Sequence, residues 1–314
     1  MSQPDILTLG RLHPDLTATL ATRYTVHPLW QADDPAALLA AVGPRIRAVA
    51  TTGHIPCPPE LLEALPNLRL VASFGVGYDA IDVPALTARG ITLTNTPDVL
   101  NDAVAELTIG MMIALAREMP LADRHVREGR WPAGNYRLTS QLTGARVGIL
   151  GLGRIGRRVA ELCAAFRMDV AYHGRHAQPD QPYRYYADLV EMAGAVDWLV
   201  VIAPSTPATV GMVDRRVLEA LGPTGRVVNV ARGNLIDEPA LVELLTSGGL
   251  GGAALDVFVD EPHVPAALFD LPNVILQPHQ GSATHITRRA MADLVARNLE
   301  AFFAGQPLVT PVPA

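Results

Sequence analysis

The stretch Val147-Gly148-Ile149-Leu150-Gly151-Leu152-Gly153-Arg154-Ile155-Gly156 decides how the rest of this chain is read. A β-rich run enters a G-x-G-x-x-G turn, and Ile155 to Ala165 continues with helical composition. In such a unit the first glycine permits the tight turn, the second lets a pyrophosphate approach the backbone, and the third seats helix against strand. The new helix also offers unpaired N–H groups and its positive dipole end to phosphate. A glycine pattern alone is a weak signal. With a strand before it and a helix after it, Gly151, Leu152, Gly153, Arg154, Ile155 and Gly156 read as a dinucleotide-binding turn.

Outward from the turn, short apolar runs alternate with helical stretches in both directions. Downstream, strands are expected at Asp169–Tyr172, Trp198–Ala203, Arg226–Val230, Gly252–Val257 and Val274–Gln277, so that with Arg146–Leu150 six strands make a doubly wound parallel sheet. Upstream, Ile6–Leu9, Ala48–Thr51, Leu70–Ser73 and Ile91–Thr94 read as a second strand series with helices between. A helix from Asp102 to Arg117 is apolar nearly all round and needs cover on several sides, which a subunit interface would supply. The last helix, Ile286 to Gly305, is too short to be a domain and is expected to pack back onto the first series. The fold class read from this pattern is α/β with two Rossmann-like domains. A cofactor domain (99–282) is inserted within a discontinuous substrate domain (1–98 and 283–314).

Composition narrows the chemistry. The 314 residues are 49% apolar and 18% charged, with a thinly spread net charge of −6, which favours small-molecule chemistry over a nucleic-acid or membrane surface. All 25 basic residues are arginine, so neither a lysine Schiff base nor a lysine-dependent phosphate loop is available. Two cysteines, Cys57 and Cys163, are too few for a disulfide scaffold or a thiolate metal site, and no metal is expected. With neither a signal-peptide pattern nor a bilayer-length apolar run, the expected location is cytoplasmic.

The end of the second strand bears on which dinucleotide binds. NAD-selective turns place a carboxylate about 20 residues on, at that strand end, to hold the ribose hydroxyls. Here it reads Tyr172-His173-Gly174-Arg175-His176, while Asp180 lies further into the loop. An arginine fork suits a 2′-phosphate, so Arg175, beside His176, favours NADP(H), with NAD(H) as the alternative.

Three polar residues follow later strands, where open α/β sheets bind ligands: Arg232 after Val227–Ala231, Glu261 after Leu255–Phe258, and His279 after Ile275–Pro278. Each alone could be structural; together they suggest a catalytic set. The stretches Phe74-Gly75-Val76-Gly77-Tyr78-Asp79, Thr94-Asn95-Thr96-Pro97, Gly151 to Gly156, Val230-Ala231-Arg232-Gly233, Ala254 to Phe258 and Pro278 to Thr284 resemble the D-2-hydroxyacid dehydrogenase family. Within it, the NADPH-dependent glyoxylate/hydroxypyruvate reductases are most similar. The resemblance runs in matching order from about residue 45 to residue 300.

That resemblance implies a function and roles. The chain is expected to reduce small 2-oxo acids to D-2-hydroxy acids. His279 would be the general acid, Glu261 its hydrogen-bonded carboxylate, and Arg232 the clamp on the substrate carboxylate. Val76 and Gly77 would add backbone N–H groups, and Ser282 a hydroxyl near the substrate. Asp256 matches the residue that holds the nicotinamide amide. Ala203, Pro204, Ser205, Thr209, Val230, Ala231 and Gly281 are the remaining cofactor contacts expected. Family members are homodimers that lend the segment around Trp131 to Arg137 to the partner. Gln280 departs from the aliphatic residue common after the histidine. Reductases of bulkier 2-oxo acids, and from another class a nucleotide-sensing corepressor, are the alternatives.

Overall fold

The computed structural model describes residues 3–313, and these fall into two compact units. Unit 1 comprises residues 3–100 and 284–313 of the described chain; unit 2 comprises residues 101–283.

Unit 1 carries β1 (Asp5–Thr8), α1 (Pro14–Arg23), β2 (Thr25–Pro28), α2 (Pro35–Val42), β3 (Ala48–Thr52), α3 (Pro59–Ala64), β4 (Leu70–Phe74), α4 (Val83–Ala88) and β5 (Thr92–Thr94). All strands are parallel in the order β2-β1-β3-β4-β5. The central strands β3 and β4 are almost wholly buried, as a sheet covered on both faces requires. Leu7, Val49, Val71 and Leu93 build the core with Leu61, Leu65 and Leu86. β2 was not anticipated from sequence. It is a four-residue edge strand, Thr-Val-His-Pro, none of it fully buried, so it lacks the apolar run that marks its neighbours.

Unit 2 carries α5 (Asn101–Ala116), α6 (Met119–Arg127), β6 (Arg146–Leu150), α7 (Arg154–Ala165), β7 (Asp169–His173), β8 (Arg184–Tyr186), α8 (Leu189–Ala195), β9 (Trp198–Val201), α9 (Arg215–Leu221), β10 (Arg226–Asn229), α10 (Glu238–Ser247), β11 (Gly252–Leu255) and β12 (Val274–Leu276). Its parallel sheet runs β12-β11-β10-β9-β6-β7-β8. It has seven strands rather than the six expected, the addition being β8, whose exposed start and three-residue length hide it in the sequence. Order reverses between β6 and β9, the switch point at which open α/β sheets take their ligands. Helix α5 lies against α7 and the β10–β12 side of the sheet, so much of the cover its apolar surface needs comes from its own unit. The final helix α11 (His285–Phe303) belongs to unit 1, packing on α1 and β4. No helix among the described residues is long and apolar enough to cross a membrane.

Candidate active site

The glycine turn has the backbone its sequence demands. Gly151 adopts φ 100°, and a Cβ there would sit 2.8 Å from the Ala203 backbone. A Cβ on Gly156 would run into the Gly151 carbonyl, so only glycine lets α7 close onto the turn. At Gly153 a Cβ would meet nothing within 4 Å, and this is the position at which a phosphate would approach. Helices α8, α9 and α10 begin on aspartates, Asp188, Asp214 and Asp237, whose carboxylates accept backbone N–H bonds. Helix α7 begins on Gly153 with no side-chain cap, leaving its first amides to an anion. The turn fits a dinucleotide pyrophosphate on these two observations.

Beside it is a cavity of about 550 Å³ lined by Leu152, Gly153, Arg154, Arg157 and residues 176–180. His176 reaches this wall; Arg175 is exposed and is not part of the lining. Asp180, in the loop after β7 as read from the sequence, also lines the cavity. Its carboxylate lies 3.5 Å from Arg157, which also donates to the Gln178 amide oxygen at 2.7 Å. Gln178 in turn donates to the Leu152 carbonyl at 3.0 Å, pinning the loop to the turn.

In the loop after β9, Ala203 is buried and Thr209 folds the segment by donating to the Pro204 carbonyl at 2.7 Å. Ser205 bonds Asn234 at 3.0 Å, linking this loop to the short 3-10 turn that follows Arg232.

The three polar residues follow adjacent strands β10, β11 and β12. His279 Nδ1 lies 2.7 Å from Glu261 Oε2, while Glu261 Oε1 accepts the Phe258 amide at 3.1 Å. The two side chains are 32% and 33% exposed, enough to be reached by a small molecule yet shielded from bulk water. His279 has φ 54°, a left-handed conformation that costs a non-glycine residue about 1–2 kcal/mol. Asp256 holds it there. The His279 amide donates to the Asp256 carbonyl at 2.9 Å, and the Asp256 carboxylate accepts the amides of Gln280 at 2.6 Å and Gly281 at 2.8 Å. Burial pushes the Asp256 carboxyl above its ordinary range, against the opposing pull of those two amides. Gln280 turns its amide back to the Pro278 carbonyl at 3.1 Å. Ser282 is half-buried just before α11.

In unit 1 the loop Gly75-Val76-Gly77 leaves the end of β4. Gly75 adopts φ 149°, its amide donates to Thr96 Oγ1 at 3.1 Å, and Asn95 donates to the Val76 carbonyl at 2.9 Å. A Cβ on Gly53 would collide with the Gly77 carbonyl, so the loops after β3 and β4 touch backbone to backbone.

The family description "D-isomer specific 2-hydroxyacid dehydrogenase, NAD binding domain" matches residues 109–281. The chain belongs to that family. It is 46% identical over 297 residues to hydroxyphenylpyruvate reductase from Plectranthus scutellarioides, covering 95% of each chain. It is 45% identical over 312 residues to glyoxylate/hydroxypyruvate reductase A from Arabidopsis thaliana, covering 99% of this chain and 100% of that one. Among solved structures, NADPH-dependent glyoxylate/hydroxypyruvate reductase from Sinorhizobium meliloti, in complex with NADP and malonate, superposes with a TM-score of 0.91. Identity there is 42%, over 99% of this chain and 97% of that one. This dehydrogenase is thus an oxidoreductase that uses NAD or NADP.

Sequence reasoning missed the residues that hold the dehydrogenase's loops in shape. Asn229, fully buried at the end of β10, accepts the Ala231 amide at 3.1 Å and donates to the Arg232 carbonyl at 2.8 Å, bracketing Arg232 from below. Gly233 packs so closely on Phe258 and Val259 that a Cβ would run into that backbone, joining the Arg232 loop to the one carrying Glu261. In unit 1, Thr310 donates to the Asn95 carbonyl at 2.7 Å and is itself held by Asn298, fully buried in α11. A lone asparagine next to a strand end was the available signal, but the partners of its amide are set by tertiary structure.

Proposed function

We propose that this dehydrogenase reduces small 2-oxo acids, glyoxylate and hydroxypyruvate first among them, to D-2-hydroxy acids with NADPH. The observation that carries the reading is the His279–Glu261 pair at 2.7 Å, at the ends of β12 and β11 in a sheet whose next strand, β10, leads into Arg232 and which carries an uncapped glycine turn.

Bound NADPH supplies a hydride to the carbonyl carbon. Arg232 holds the substrate carboxylate with its fixed fork, and its charge polarises the adjacent ketone. With Nδ1 engaged by Glu261, the proton is handed from Nε2 of His279 to the carbonyl oxygen, and the product is a hydroxyl. Glu261 fixes the orientation of the ring through its hydrogen bond to Nδ1. The amides of Val76 and Gly77 are assigned to the substrate carboxylate, and Ser282 to the substrate. The six residues of the glycine turn take the pyrophosphate. Ala203, Pro204, Ser205, Thr209, Val230, Ala231, Asp256 and Gly281 form the rest of the cofactor site, Thr209 by shaping its loop and Asp256 by fixing Gly281 as well as by meeting the amide. Arg175 and His176 are assigned to the 2′-phosphate. The Asp180 carboxylate, paired with Arg157, is thereby less available to hold ribose hydroxyls. Trp131 to Arg137 is assigned to a homodimer contact; Trp131 is 60% exposed and Leu138 98% exposed, apolar surface that a second copy would cover.

A second substrate reading, reduction of hydroxyphenylpyruvate, is favoured by the 46% identity to the Plectranthus enzyme. NADPH and NADH oxidation measured over a panel of glyoxylate, hydroxypyruvate and hydroxyphenylpyruvate tests both. The expected result is highest kcat/KM with NADPH and the two small acids. Preference for NADH, or for the aromatic acid, overturns the corresponding part.

A further inference from the structure

Two arginines are half-buried and held below their ordinary pKa by burial, and they differ in what surrounds them. Arg226 in β10 has the carboxylates of Glu118 and Asp197 acting on it and donates to Ser140 at 3.1 Å. Arg288, in the first turns of α11, has burial as its sole perturbation. Among the described residues its recorded contact is with the Phe74 ring, 5.7 Å from ring centre to guanidinium carbon. The next residue, Arg289, is exposed and lies 3.5 Å from Asp15. Desolvating a cation without a carboxylate is costly, and stacking on an aromatic face leaves the in-plane N–H donors of a guanidinium to find other acceptors.

The surroundings of Arg288 show what acceptor fits. Phe74 ends β4 and directly precedes Gly75-Val76-Gly77. The Phe74 ring also stacks against His13, the residue that caps the start of α1, with centroids 6.2 Å apart and planes within 7°. These groups therefore sit at the carboxyl edge of the β2-β1-β3-β4-β5 sheet, whose order reverses at β1 and β3. An apolar ring flanked by a cation, next to the loop assigned to the substrate carboxylate, suits the far end of a substrate that bears an oxygen.

We propose that Arg288, seated on Phe74, is a specificity-determining residue that binds the distal oxygen of 2-oxo acids longer than glyoxylate. The assignment rests on the reductase function argued above. Hydroxypyruvate carries such an oxygen on its third carbon; glyoxylate has only two carbons, the carboxylate and the carbonyl. The N–H donors of Arg288 then select the longer acid by a charge-assisted hydrogen bond that glyoxylate cannot make.

The test is the ratio of kcat/KM for hydroxypyruvate to that for glyoxylate, both with NADPH on the same preparation, in the unmodified enzyme, Arg288→Met and Arg288→Lys. Because the two substrates share one enzyme sample, any misfolded fraction cancels. Arg288→Met is expected to lower the ratio about tenfold, chiefly through KM for hydroxypyruvate. Arg288→Lys, which keeps a charge on a different geometry, is expected to restore part of it. An unchanged ratio, or an equal fall for both acids, overturns the assignment, the second result placing Arg288 on the common carboxylate or on the packing. Failure of the unmodified enzyme to oxidise NADPH with either acid removes the functional reading itself, and the assignment with it.

Discussion

The loop of unit 1 proposed to take the substrate carboxylate and the edge of unit 2 proposed to be catalytic solve one problem differently. Both must hold irregular backbone at the ends of parallel strands. In unit 2 the restraints are internal to the sheet: Asn229 on β10 brackets Arg232, and Asp256, next to β11, ties down the loop that carries His279. In unit 1 the loop at Val76 is held by Asn95, which is held by Thr310, which is held by Asn298 in α11. The unit 2 edge depends on buried polar groups close by, whereas the unit 1 loop depends on a tail that arrives from the far end of the chain. Damage to the first should strike turnover and stability together; damage to the second should strike substrate affinity alone.

Gly233→Ala should break the comparison most severely on the unit 2 side. The added methyl has no room against Phe258 and Val259, and forcing it in costs about 1–3 kcal/mol while shifting the loops of both Arg232 and Glu261. Urea unfolding and steady-state assays should show that loss together with a fall in kcat/KM of about a hundredfold. A variant with both values intact would show that the loops are not packed as described.

Asn229→Ala leaves the Ala231 amide and the Arg232 carbonyl without their partner in a buried position, for a loss of about 2 kcal/mol. Turnover should fall about tenfold. Asn229→Asp keeps the acceptor for Ala231 but loses the donor to Arg232 and buries a charge against that carbonyl, so its effect should be at least as large as that of Asn229→Ala. A clearly smaller effect of Asn229→Asp than of Asn229→Ala would separate Arg232 from this bracket.

Thr310→Val should be milder and of another kind. It removes the hydroxyl that joins Asn95 to Asn298, and KM for the 2-oxo acid is expected to rise about threefold to tenfold with KM for NADPH unmoved. A change in NADPH affinity instead would sink the contrast between the two regions. Gln280→Leu should do least, within about twofold in kcat/KM, because the Gln280 amide is folded onto the Pro278 carbonyl.

These contrasts also mark what was legible in the sequence. The glycine turn, the apolar inner strands and α5 announced themselves because their signals are local: a φ only glycine accepts, a run of residues buried on both faces, an unbroken apolar helix. The edge strands β2 and β8 did not, because an edge needs no apolar run. Arg232, Glu261 and His279 could be proposed from their chemistry, from the strands they follow and from the family resemblance. Asn229, Asn95 and Thr310 could not, because each acts through backbone groups whose proximity exists only in the folded chain. Asp180 shows the same limit, since its distance along the loop concealed its place on the cavity wall.

The most direct test of the account is His279→Ala, assayed by NADPH oxidation with glyoxylate and, separately, by NADPH binding. Loss of the general acid should lower turnover by about 10²–10⁴-fold while NADPH still binds. Turnover close to that of the unmodified enzyme would contradict the role of His279 and, with it, the proposed mechanism.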